Sequence, residues 1–266
     1  MLRELFAVLI AVLGAAGVSG AEIVCEKEDF KGHLQGIAAD SSGICWSFYD
    51  TVVKTDYAGK ILASVKSPRH SGDLCLADGK VYVSITHYDA ETAEREGGTG
   101  FVYVYDANLK FLRKYALPDT PRPDGIVFCG GKFYVAGDDF GKQDHPVNTV
   151  SVYTPDFKFE KKITVDIGRP TKYGVQTLNE FDGGLLAAFY ARMGSVFLTV
   201  PELKVSGVFP TSASVGFAFV PPELSGGRRL VLIARNTGKR GAYGAKLLVR
   251  EWKDGKLFDA ELVKAE

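Results

Sequence analysis

The sequence predicts an all-β protein, a small β-propeller of five four-stranded blades, and three observations predict it. One hairpin turn recurs five times with a lysine behind it. A second turn series runs in phase with the first. No stretch after the N-terminal leader shows sustained helical periodicity.

The first series reads Thr55-Asp56-Tyr57-Ala58-Gly59-Lys60, then Tyr105-Asp106-Ala107-Asn108-Leu109-Lys110 and Tyr153-Thr154-Pro155-Asp156-Phe157-Lys158. It continues with the weaker Val200-Pro201-Glu202-Leu203-Lys204 and ends on Trp252-Lys253-Asp254-Gly255-Lys256. The lysines stand 50, 48, 46 and 52 residues apart. The second series is Ser42-Gly43, Asp78-Gly79, Gly130-Gly131, Asp182-Gly183 and Gly226-Gly227. Gly and Asp there supply the positive φ angles of tight hairpins.

Short alternating or apolar runs lie between the turns; in the second unit they are 73–77, 80–86, 101–105 and 111–116. Four such strands cannot bury both faces alone, so units of ~40–50 residues must stack around an axis. The predicted blades are about 33–66, 70–117, 122–168, 173–210 and 214–264, forming a single domain over 22–266. Residues 22–30 are left over. They either add a strand to the last blade, protecting its edge, or belong to a degenerate sixth blade.

The leader has the form of a secretory signal. Arg3 supplies the charge, Phe6 to Val18 the short apolar run, and Ser19 and Ala21 the small residues before Glu22. Cleavage after Ala21 leaves about 245 residues. The expected mature chain is secreted or periplasmic, monomeric and clear of the membrane; an uncleaved N-terminal anchor is the alternative. Lys plus Arg and Asp plus Glu are both 32, so no basic stripe points to nucleic acid. With 17 Phe and 12 Tyr against 2 Met, the composition suits strands. Cys25, Cys45, Cys75 and Cys129 contain no CxxC, and their pairing is left open between buried thiols and one disulfide.

The phrases Leu34-Gln35-Gly36-Ile37-Ala38, Val53-Lys54-Thr55-Asp56 and Pro123-Asp124-Gly125-Ile126 resemble those of NHL, SMP-30 and strictosidine-synthase-like propellers. The resemblance spans the mature chain and implies fold rather than chemistry.

In a propeller both turn series share one face, and the remaining connections share the other. The mouths of the innermost strands align on that second face. They are His33-Leu34-Gln35-Gly36, His70-Ser71-Gly72-Asp73, Arg122-Pro123-Asp124-Gly125, Gly174-Val175-Gln176 and Ser214-Val215-Gly216. Loops between second and third strands add His87 and Tyr88, Asp138 and Asp139, His145, Tyr190 and Arg192, and Arg235 and Asn236. All four histidines therefore fall on one face, where long loops on a rigid scaffold carry binding.

Three readings follow. A small-molecule binder would use Arg122, Gln176, Tyr190, Arg192, Arg235, His87 and Asp138, with tyrosines stacking on a sugar or other flat ligand. One divalent metal, calcium or a transition metal, could be held by His33, His70, Gln35 and Asp124. SMP-30-like lactonases place carboxylate and amide ligands at such mouths, though Gln35 and Gln176 stand here where an acid or Asn is expected. A lactonase-like hydrolase or lyase would draw its acid–base groups from His33, His70, Asp73 and Asp124. A protein-interaction scaffold is the third reading, in which these groups bond only one another and channel water.

Overall fold

The computed structural model describes residues 21–137, 144–145, 147–190 and 193–263. The predicted leader before Ala21, and Asp138, Asp139 and Arg192 among the expected site residues, lie outside that set.

Five antiparallel sheets form the blades. Blade one is β2 (Leu34–Asp40), β3 (Gly43–Phe48), β4 (Thr51–Thr55) and β5 (Ile61–Lys66). Blade two is β6 (Ser71–Ala77), β7 (Lys80–Thr86), β8 (Gly100–Asp106) and β9 (Phe111–Ala116). Blade three is β10 (Pro123–Cys129), β11 (Lys132–Gly137), β13 (Asn148–Tyr153) and β14 (Phe159–Val165). Between them, β12 (Asp144–His145) pairs with β15 (Thr171–Lys172) as a small ribbon. Blade four is β16 (Val175–Phe181), β17 (Gly184–Phe189), β18 (Ser195–Leu198) and β19 (Val205–Phe209).

Blade five closes the ring. Its strands β20 (Phe217–Phe219), β21 (Leu230–Lys239) and β22 (Ala242–Lys253) are joined at the outer edge by two short pieces, β1 (Glu22–Val24) and β23 (Lys256–Asp259). Both pair with β22, β1 opposite Lys246 to Leu248 and β23 opposite Arg250 to Lys253. The N-terminal segment thus supplies a strand to the last blade, and the blades number five rather than six. Ile23 and Cys25 are buried beneath this strand, and Phe30 stacks on Phe48 of blade one with ring centroids 3.7 Å apart.

The innermost strands β2, β6, β10, β16 and β20 contact one another in a ring. Five apolar clusters fill the five gaps between blades. Each cysteine but none of its fellows belongs to one gap: Cys25 lies between blades five and one, Cys45 between one and two, Cys75 between two and three, and Cys129 between three and four. All four are buried free thiols, which settles the open pairing.

The recurrent lysine turns have a local cause. Asp56 Oδ1 accepts from the N–H groups of Ala58 and Lys60, and Asp106 Oδ1 from those of Asn108 and Lys110, each at 2.9 Å. Thr154 and Thr199 do the same for Lys158 and Lys204. The residue before each lysine takes a positive φ, as Gly59, Leu109, Phe157, Leu203 and Gly255. Where it is Leu or Phe, the side chain is buried, so three of these turns plug a gap between blades. A helix, α1 (Ala90–Glu96), interrupts blade two on the other face; Asp89 caps it and Gly97 ends it at φ 75°.

Candidate functional site at the channel mouth

Four innermost strands are irregular at the same level. Their pairing with the second strand skips between Leu34 and Gly36, Ser71 and Leu74, Pro123 and Ile126, and Val175 and Thr177. A bulge bends the strand and re-aims its side chains. At these bulges stand Gln35, Asp124 and Gln176, and all three line one cavity at the channel mouth. The close approach of the strands depends on small residues. A Cβ on Gly36 would come within 2.2 Å of Asp73 Oδ1, and one on Gly216, at φ 129°, within 2.7 Å of the Ile37 nitrogen.

The mouth has two adjoining lobes. One, of about 220 Å³, is walled by His70, Tyr88, Arg122, Asp124 and Tyr173. The other, of about 310 Å³, is walled by Ser214, Val215, Asn236 and Tyr243. His33, Gln35, Gln176 and Tyr190 border both, so the lobes form one depression over blades one to five. His33, His70, Gln35 and Asp124, the expected metal donors, are thus neighbours around one cavity, joined by Arg122, Gln176 and Tyr190 of the expected binding set. Among the described residues no three His, Cys, Asp or Glu side chains converge closely enough to hold a metal ion.

Local order supports this depression. Eight non-glycine residues have positive φ among those described; six lie in hairpin turns, and the other two, His70 (67°) and Tyr173 (59°), are in the mouth. Such backbone costs roughly 1–3 kcal/mol and persists where surroundings enforce it. The His70 ring sits edge-on between Tyr49 and Tyr88, at centroid distances of 5.1 and 4.2 Å. Its Nδ1 is buried without a hydrogen-bond partner. Burial first, and then the guanidinium of Arg122, hold its pKa down to about 4, so the imidazole is neutral near pH 7. The Arg122 guanidinium donates to the Tyr88 hydroxyl through Nη2 at 2.6 Å and lies 4.9 Å from that ring's centroid. Gln176 is fixed by donating to the Tyr173 carbonyl at 2.8 Å. Tyr190 meets Tyr173 edge-on at 5.0 Å and stays 38% exposed.

Of the other expected site residues, Asp73, His87 and Arg235 line neither lobe. Asp73 is completely buried in the channel wall, where its Oδ2 accepts from the backbone N–H of Leu178 at 2.9 Å and of Ile126 at 3.3 Å. It ties blade two to blades three and four. Burial pushes its carboxyl well above the ordinary range, against the opposing pull of those N–H groups and that of Leu74. His87 is buried beside Phe101 and Tyr103, away from both lobes. Burial lowers its pKa, with Glu96 and Asp89 pulling the other way. Arg235 and Asn236 lie inside β21 rather than in a loop, because the β21–β22 hairpin runs on to its turn at 240–241. Arg235 donates to the Ser212 and Ala234 carbonyls and the Thr211 hydroxyl. Asn236 instead reaches the Leu34 N–H through its Oδ1 at 2.7 Å, joining blade five to blade one.

Tyr243 was not evident from the sequence. It follows the hairpin turn at the start of β22, bridges to Phe30, and lies edge-on to His33 at 5.8 Å. The alternation of Tyr243, Ala245, Leu247 and Val249 was the available signal.

A larger cavity, of about 450 Å³, opens on the turn face between blades four and five against Phe181, Phe197 and Trp252. Its charged neighbours, Arg229 and Asp182, pair with each other, and Arg229 also covers the Phe181 and Phe219 rings. Among the described residues no imidazole and no carboxylate but Asp182 lines it, so the mouth holds the richer chemistry.

No protein-family model and no curated protein matches the chain. Solved structures do. Glutaminyl cyclase of Myxococcus xanthus is 14% identical over 89% of this chain and 97% of its own, with a TM-score of 0.60. A GH43_1 enzyme of Xanthomonas citri, complexed with xylose, is 12% identical over 90% and 93%, with a TM-score of 0.57. At these identities the likeness establishes fold, and the chain is a five-bladed β-propeller.

Proposed function

We propose that the channel mouth is a binding site for a small polar ligand in an exported protein. The observation that carries this reading is the coincidence of the bulges: they aim Gln35, Asp124 and Gln176 into one depression that already contains Arg122 and exposed tyrosine rings. A rigid concave site with a few convergent polar groups is the ordinary form of a small-molecule site. A structural neighbour on the same fold is complexed with xylose.

A hydrolase or lyase is the second reading, favoured by the enzymatic nature of both neighbours above. Two features weigh against it. An imidazole with a pKa of about 4 is a weak base at neutral pH. Asp73, the second carboxylate of an acid–base pair, is tied to backbone N–H groups in the channel wall. The metal-dependent form, resembling the SMP-30-like lactonases, would additionally need His33, His70, Gln35 and Asp124 to draw together.

The test is a thermal-melt screen of sugars and carboxylic acids on residues 22–266, repeated with chelator and with added calcium or zinc. A ligand at one hundred times its Kd contributes about 2.7 kcal/mol of stability. The expected result is a ligand-dependent rise in Tm that Arg122→Ala abolishes while the unliganded Tm stays close to wild type, with chelator and metals without effect. A metal-dependent rise that Asp124→Asn removes would establish the metal reading instead. Ligand responses unchanged by Arg122→Ala would overturn the mouth as the site.

A further inference from the structure

Three of the five gaps between blades are plugged on the turn face by one side chain from the recurrent lysine turn. Leu109 of blade two enters the gap toward blade one, Phe157 of blade three that toward blade two, and Leu203 of blade four that toward blade three. At blade one the same position is Gly59, and the N-terminal segment takes the side chain's place. A Cβ on Gly59 would meet the Val24 carbonyl oxygen at 1.9 Å, and the Glu26 N–H donates to the Gly59 carbonyl at 3.0 Å. Blade five has neither device. Its turn is cut to Asp254 and Gly255 between the paired Lys253 and Lys256, whereas blade two carries residues 106–110 between the paired Tyr105 and Phe111. Gly255 stands at the plug position, and a Cβ on it would meet nothing within 4 Å. The gap that lacks its plug, between blades four and five, is the one that holds the cavity of about 450 Å³.

From this missing plug we infer that the gap between blades four and five is a second binding site, for an uncharged aromatic molecule of one or two fused rings. The walls select that chemistry. Phe181, Phe197 and Trp252 line the cavity, and Trp252 stands at 87° to the Phe181 ring and 62° to the Phe197 ring, with centroids 5.6 and 5.9 Å away. Rings set edge to face in this way favour a further aromatic ring over an aliphatic one of equal size. Phe197 and Trp252 are only half-buried, so apolar surface there remains to be covered. An apolar cavity of roughly 150 Å³ accepts benzene. This larger one has room for two fused rings. Asp182 is the one charged residue lining it among those described, and it pairs with Arg229, so no open charge recruits an ion. In the three plugged gaps the occupant of the equivalent place is a single isobutyl or benzyl group. That sets the scale at one small molecule rather than a stretch of a protein partner. The site is independent of the channel mouth, which lies on the opposite face.

The experiment is titration calorimetry of residues 22–266 with toluene, indole, methylcyclohexane and benzoate, with tryptophan emission followed for toluene. The chain has 2 Trp, and Trp46 is fully buried between blades five and one, its Nε1 donating to the Thr55 hydroxyl at 2.9 Å, so an emission change reports Trp252. Toluene and indole are expected to bind, and toluene to shift that emission. Methylcyclohexane should bind more weakly, and benzoate at least about tenfold more weakly, because its carboxylate would lose water without gaining a partner. Ser206→Phe, at an exposed position of β19 that lines the cavity, supplies a ring of the protein's own and should weaken toluene at least about tenfold without lowering Tm. Exchanging residues 253–256 for the blade-two turn 106–110 restores a leucine at the plug position; it should raise Tm and abolish toluene binding. Benzoate or methylcyclohexane binding as tightly as toluene would overturn the inference, as would toluene affinity unchanged in both variants. Toluene binding that leaves the emission unmoved, or no binding by any probe, would equally end it.

Discussion

Replacing Asp73 by Ala is expected to destabilise the fold by about 2–5 kcal/mol, without removing any group that faces the mouth. The buried carboxyl accepts from N–H groups on β10 and β16 while belonging to β6, so it links three of the five innermost strands through one side chain. With Ala, those N–H groups lose their acceptor in a channel wall that gives water little access. Asn at the same position keeps an acceptor oxygen and should cost much less. Urea denaturation of the two variants beside wild type separates these outcomes, and equal losses would mean that packing rather than hydrogen bonding is at stake.

The same pair carries a pH signature. Burial raises the folded-state pKa of Asp73 above its unfolded value near 3.9. Between those two values the folded state binds more protons than the unfolded, so stability falls as pH rises through the window. The contribution is fully present below the unfolded pKa and is lost as pH climbs through the folded one. Asp73→Asn has no such titration. Its stability relative to wild type should therefore improve from acid toward neutral pH; a gap that widens instead would show that the carboxyl ionises easily in place.

The second large effect is expected at the ring closure. Removing residues through Cys25 takes away β1, exposes part of the β22 edge and uncovers the core between blades five and one. Within that segment Ile23→Ala alone should cost about 2–4 kcal/mol, since Ile23 is only 4% exposed. Glu22→Ala is the control. Its ion pair with Lys246 is solvent-exposed, and such pairs contribute at most about 1 kcal/mol. Melting curves in which Ile23→Ala matches Glu22→Ala would mean that the N-terminal strand is peripheral to the propeller.

Much of this architecture was legible because hairpins repeat local chemistry. Asp56, Asp106 and Thr154 stand four residues before their lysines and Thr199 five before Lys204, because a short oxygen-bearing side chain at the head of the turn satisfies backbone N–H groups. What periodicity concealed was that Leu109, Phe157 and Leu203, in the same turns, adopt positive φ and point inward. Blade five was harder, since its outer strand is assembled from two distant pieces and its long β21–β22 hairpin carries Arg235 and Asn236 as strand residues.

The site was legible to the extent that blade alignment stacks equivalent positions, which placed His33, His70, Arg122 and Gln176 around one opening. It failed to separate Gln35, which borders the cavity, from Asp73, which is buried below it. That distinction depends on where each bulge falls, and a bulge shifts the facing of side chains by one residue without altering the pattern of types. Nor could spacing reveal that His87 packs inward on Phe101, because histidine at a strand end is compatible with either direction.

The most direct test is the crystal structure of residues 22–266 with the strongest ligand from the screen. The expected density lies in the depression bordered by His33, Gln35, Gln176 and Tyr190, with a polar end against Arg122. Density in the aromatic cavity beside Trp252, with the channel mouth unchanged, would contradict the assignment of function to that face.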